Sequence, residues 1–182
     1  MAPLRSLFAA GLLFLSSANA HFDLRQPPSL EGDNMNEDLE PNAPCGGGVA
    51  DLSTNKVVDF HVDGDAVSWF LGHPQAKWLI RGTLDSKAAG NWTEMYPIIQ
   101  QNGRGEYCQP AVTAPKAWAG KKGIISVACG APDGLLFQVS YHTPFRLSFL
   151  LIIPVRCCQL RLGCQRFPQL LQQRIRDRRL QR

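Results

Sequence analysis

The apolar residues of this chain come in short runs, and each run is cut off within a few residues by Gly, Pro, Asn or Asp. Strand-like runs cover Val57–Val62 (VVDFHV), Ala66–Leu71 (AVSWFL), Ala76–Leu84 (AKWLIRGTL), Met95–Gln100 (MYPIIQ) and Gly123–Ala128 (GIISVA), and another starts at Gly134 (GLLFQVS). Between them lie Asp63-Gly64-Asp65, Gly72-His73-Pro74, Gly90-Asn91, Asn102-Gly103 and Pro132-Asp133-Gly134. A helix of ordinary length needs a 3.6-residue apolar period sustained over ten or more residues, and no such stretch occurs here. Closely spaced short strands joined by turn residues predict an all-β fold, an antiparallel β-sandwich. Residues 22–48, rich in Pro, Gly, Asn and acids, read as an extended segment and loop pinned at Cys45. No internal repeat is visible over residues 21–138.

The two ends differ from this middle. Residues 1–20 read as a secretory signal peptide: Arg5 is the single charge, Leu7–Leu15 is an apolar core, and Ala18-Asn19-Ala20 is a small-x-small cleavage site. That core is too short to span a bilayer as a helix. Removing these residues from a 182-residue chain leaves enough for one domain with a real core. The net charge of +4 hides a split. Residues 21–138 hold nine Lys or Arg against fourteen Asp or Glu, whereas residues 139–182 hold nine Arg and one acid, Asp177. A basic character therefore belongs to the tail, and no nucleic-acid partner is expected. The expected organisation is a signal peptide over 1–20, a sandwich domain over 21–138 with its last strand incomplete, and an aberrant basic tail over 139–182. That tail is expected to be disordered apart from one strand near 139–152.

Cleavage after Ala20 would make His21 the first residue of the mature chain. A first-position His offers its α-amine and its ring Nδ1 to the same metal ion, and an internal His cannot, because its backbone nitrogen is an amide. A second imidazole opposite completes a planar set of three nitrogens, which suits Cu(II), the strongest binder of the divalent series. The candidates for that second ring are His61, His73 and His142. His61 alternates with Phe60 and Val62 and reads as a surface strand His. His142 lies past the compositional break and is discounted. His73 lies in the Gly72-His73-Pro74 turn, from which a side chain can reach a loop-end site. Cys45, Cys108 and Cys129 are disulfide candidates, odd in number for an exported domain. Asn91-Trp92-Thr93 is a glycosylation sequon at Asn91. No P-loop, GxSxG or HExxH is present, so phosphate transfer, serine hydrolysis and zinc proteolysis lack support.

Several stretches in order resemble one family. They are HFDLRQPPSL, EDLEPNAPCGGG, VVDFHVDGDAV, the long run from GHPQAKW through GEYCQPAV, and WAGKKGIISVACGAPDGLLFQ. Together they span residues 21–138 nearly continuously. They are similar to the fungal lytic polysaccharide monooxygenase-like copper proteins, the copper acquisition factor family. The resemblance implies an immunoglobulin-like β-sandwich and a histidine-brace copper site. Carried over, its ligands to Cu(2+) are His21 through amine and ring, the His73 ring, and Asp133. A carboxylate at the copper favours Cu(II) and takes the position that oxygen or substrate needs. The implied role is thus non-enzymatic: an extracellular or cell-surface copper binder in copper acquisition, homeostasis or cell-wall biology. A copper-dependent lytic polysaccharide monooxygenase is the alternative, and Trp69 or Trp118 exposed on a flat face would favour it; both are expected in the core. The implied partners are the copper ion with a cell-wall polysaccharide or a membrane copper transporter, and the protein is expected to be monomeric. Many members carry a GPI anchor, but the apolar stretch LSFLLIIPV is internal and followed by Arg, so no anchor signal is expected here. The family pattern continues after Gln138 with a Cys. Val139-Ser140 is instead what a 5′ splice site read in frame encodes, so the break reads as a retained intron.

Overall fold

A computed structural model of the chain describes residues 21–32, 35–49, 58–132, 134–142 and 145–147, with the side chains of residues 141 and 142 left aside. Nine strands follow in order: β1 (Phe22–Gln26), β2 (Phe60–His61), β3 (Asp65–Leu71), β4 (Gln75–Thr83), β5 (Thr93–Asn102), β6 (Gly105–Val112), β7 (Gly123–Ala131), β8 (Gly134–His142) and β9 (Phe145–Arg146). Two antiparallel sheets form, one ordered β1-β3-β6 and the other β5-β4-β7-β8, and a short parallel pair joins β2 to β9. The chain is therefore all-β, as an antiparallel sandwich requires.

The strand pattern explains the packing. Along β4 the side chains of Ala76, Trp78 and Ile80 point inward, while Gln75 and Lys77 remain exposed. In β7 every residue from Gly123 to Cys129 is buried, as befits an inner strand paired on both sides. The centre of the core is aromatic. Trp78 lies 4.5 Å from Trp69 and 5.1 Å from Phe22, ring centre to ring centre. A buried indole must still satisfy its N–H. Both Trp69 and Trp78 donate to Gln101 Oε1, each at 3.0 Å. The Gln101 amide in turn donates to the carbonyls of Gly103 and Gly105 in the β5–β6 hairpin. Trp69 and Trp118 are thus core residues and form no exposed aromatic face. Pro97 falls in β5, an edge strand, where the register skips between Trp78 and Ile80. A residue without an N–H is tolerated at such a bulge.

Two points differ from the sequence reading. First, β1 and β6 lie in segments read as loop or left without a strand. β1 is interrupted at once by Pro27-Pro28, and β6 is an edge strand with few apolar residues. Second, the run read as Val57–Val62 is a strand only over Phe60–His61, with residues 50–57 outside those described. The strand allowed near 139–152 falls in β8, which continues past Gln138 to His142. Val139 and Ser140 are buried, and Phe145 is fully buried against Phe60 and Trp118. The sandwich thus runs on by strand pairing through residues 139–142 and 145–146, and Val139, Ser140 and Phe145 keep filling its core after the composition has changed. Residues 148–182 lie outside the described residues. Cys108 is disulfide-bonded. Cys45 is a free, buried thiol whose burial pushes its pKa upward, and Cys129 is fully buried in the core.

Candidate functional site

The site starts from the register of β1 on β3. Phe22 pairs with Leu71, so the residue before β1 meets the residue after β3. There the Gly72 N–H donates to the His21 carbonyl at 3.1 Å. A Cβ on residue 72 would stand 2.9 Å from that carbonyl oxygen, so a residue other than glycine would push the two segments apart. His73 follows directly. Two histidines remote in sequence are thereby brought to one end of the sandwich, with the His73 residue only 7% exposed and the His21 ring about a quarter exposed.

A second segment meets the same end of β1. Residues Glu37–Leu39 form a single 3-10 turn, capped by Asn36, whose Oδ1 accepts the Asp38 N–H at 3.1 Å. Glu37 Oε2 lies 3.1 Å from His21 Nε2. Glu40, just past this turn, is fully buried. Its Oε1 accepts from Gln138 Nε2 at 2.6 Å, and its backbone carbonyl accepts the Phe137 N–H at 2.9 Å. Gln138 then bridges the gap between the two sheets. Its Oε1 accepts the Leu24 N–H at 2.9 Å, and its Nε2 donates to the Phe22 carbonyl. Glu40 Oε2 is buried with no hydrogen-bond partner among the described residues. Burial pushes the Glu40 carboxyl up to about 7; the Gln138 hydrogen bond opposes this, and the nearby Glu37 and Asp23 charges reinforce it. Neither Glu37, Glu40 nor Gln138 stood out as a site residue in the sequence. EDLEP reads there as an acidic loop, and nothing in its spacing reports that it folds back on β1.

The other expected site residues divide. His61 is committed elsewhere: its Nδ1 lies 2.9 Å from Asp65 Oδ2. Asp65 also accepts the backbone N–H groups of His61 and Ala66, so the pair closes the β2–β3 turn. His142 belongs to β8 by its backbone, and Asp133 lies outside the described residues. Among the described residues no three His, Cys, Asp or Glu side chains form a metal-sized cluster. A site made of two imidazoles and one terminal amine contributes only two side chains to such a cluster. Asn91 is exposed, with φ of 55°, in the turn between β4 and β5.

A family model described as copper acquisition factor BIM1-like matches residues 19–141. The matched range contains His21, His73 and Asp133, and it runs three residues past Gln138. No curated protein matches the chain.

Proposed function

The chain belongs to the BIM1-like copper acquisition factor family, and from that premise we propose that it binds Cu(II) at the β1 end of the sandwich through His21 and His73. The observation that supports this reading is the Gly72–His21 backbone contact, which brings the backbone just before His73 against that of His21. Processing after Ala20 frees the His21 amine, and the amine, the His21 ring and the His73 ring then supply three neutral nitrogens of the kind that favour copper. Asp133 supplies a carboxylate to the same ion. The bound metal contributes a Cu(II) centre. The protein's part is to hold the nitrogens deprotonated and oriented, with the carboxylates of Asp23 and Glu37 around β1 favouring a cation.

The protein acts as a copper carrier or scavenger, secreted or held at the cell surface, and it passes copper to a membrane transporter or works at the cell wall. Trp69 and Trp118 are buried, so neither supplies an exposed aromatic to a polysaccharide-binding face. Asn91 carries a glycan, and peptide mapping before and after glycan removal checks it: an unmodified Asn91 in secreted material counts against export through a glycosylating route.

The test of the copper site adds one residue before His21 in the mature protein. This keeps every side chain and removes only the free amine on His21. We expect Cu(II) affinity to fall steeply, and affinity of the native mature chain to fall as the pH drops and protons compete for the nitrogens. Equally tight binding by the extended variant would end this reading.

A further inference from the structure

We propose that Glu37 is a positioning residue for the metal site: its carboxylate holds the proton of the His21 ring on Nε2 and so keeps Nδ1 available as the ligand. The inference rests on the copper reading of His21 and adds a residue to it. A neutral imidazole carries one N–H and one lone pair, and the hydrogen bond made by one nitrogen decides the role of the other. A carboxylate only accepts. Glu37 Oε2 at 3.1 Å from Nε2 therefore requires the proton there. The lone pair is left on Nδ1, the ring nitrogen close enough to the residue's own backbone nitrogen to share one ion with it. A ring flipped about its Cβ–Cγ bond, or protonated on Nδ1, could not close that chelate.

The carboxylate is held in place from two sides. The 3-10 turn that carries Glu37 is capped by Asn36, and the Glu40 N–H donates back to the Glu37 carbonyl at 3.2 Å. Glu40 is fastened to β8 through Gln138 and the Phe137 N–H, and Gln138 also fastens β1 at Phe22 and Leu24. Gly46 locks the same loop against β8, because a Cβ there would overlap the Phe137 carbonyl. The two partners of the His21–Glu37 contact thus hang from one buried side chain, Gln138. The Glu37 side chain is itself 61% exposed. An exposed pair of this kind adds little to stability, so orientation of the ring is the effect to measure.

The experiment uses the mature protein beginning at His21, with Cu(II) alone as the probe. Long-range proton–nitrogen NMR of the metal-free protein, at a pH where the ring is neutral, reads the His21 tautomer. Pulsed EPR of the Cu(II) form reads the ring nitrogen that does not bind the metal, whose signal responds to the hydrogen bond on its N–H. We expect the Nε2–H form in the native protein and a loss of that fixed form in Glu37→Ala. The remote-nitrogen signal of one ring should change while that of the other stays put. Cu(II) affinity should fall about tenfold, the lower end of what outer-shell partners contribute. Glu37→Gln, which keeps an acceptor oxygen, should restore most of it. An Nδ1–H ring in the native protein, or a Glu37→Ala variant with unchanged tautomer and remote-nitrogen signal, overturns the assignment. Failure of the copper reading itself shows separately, as tight Cu(II) binding by the chain extended before His21.

Discussion

Two histidines of this sandwich have a carboxylate at about the same distance, and they spend different ring nitrogens on it. His61 gives Nδ1 to Asp65, four residues further on, and the pair closes a turn. His21 gives Nε2 to Glu37, which arrives on a separate loop. At His61 the nitrogen nearest its own backbone is consumed, and the carboxylate is almost completely buried and shared with two backbone N–H groups. At His21 that nitrogen is left over, and the partner is largely exposed. A His–carboxylate pair is therefore not one kind of feature. Which nitrogen it uses, and whether the partner is local, separates a turn clasp from a contact between remote segments.

The comparison breaks first at the metal. His73→Ala should lower the Cu(II) affinity of the mature chain by more than about a hundredfold, beyond the range of an outer-shell residue, whereas His61→Ala should leave it unchanged. Calorimetric titration of both variants checks this. A copper defect in His61→Ala equal to that of His73→Ala would erase the distinction.

A difference in pH response comes next. The β1 end holds Glu40, a buried carboxyl whose ionisation is displaced. The folded-state pKa of Glu40, about 7, lies above its ordinary value of 4.5. Between those values the folded protein keeps a proton that the unfolded chain has lost, so stability falls as the pH rises through that window and levels off above it. The total is on the order of 3 kcal/mol, at about 1.4 kcal/mol per pH unit of displacement. Glu40→Gln removes the ionisation while keeping the oxygen that accepts from Gln138. It should flatten the curve in urea unfolding at pH 5, 6 and 7. A slope that survives in this variant assigns the effect to another group.

The smallest effect belongs to the turn clasp. His61→Ala should cost about 1 kcal/mol of unfolding free energy, the worth of one ordinary hydrogen bond, because Asp65 still accepts the backbone N–H groups at residues 61 and 66. A loss several times larger would mean that His61 does more than close its turn.

Much of the fold could be read from local pattern. The inward alternation at Ala76, Trp78 and Ile80 and the turn residues at Asp63-Gly64 and Asn102-Gly103 are properties of neighbouring residues, and the strands follow them. The same logic missed β6, which pairs at an edge through its backbone and has few apolar side chains to show. It placed the compositional break at Gln138 with one further strand allowed near 139–152, and burial does continue at Val139, Ser140 and Phe145. Charge reports on surface composition, and the core is filled by whichever residues the last strands turn inward.

The sequence by itself determined the all-β class, the copper acquisition factor resemblance, and the pairing of His21 with His73 as the candidate ligands. Each rests on residue type, local spacing or motif order, which one strand of text carries completely. Only the tertiary structure decided that Gly72 abuts the His21 carbonyl, that His61 is spent on Asp65, and that Glu37, Glu40 and Gln138 gather around β1. All of these but the local His61–Asp65 clasp join segments far apart along the chain. Their geometry is set by how the two sheets and the Glu37–Leu39 turn pack together, and no periodicity or motif within any one of those segments encodes where the others will lie.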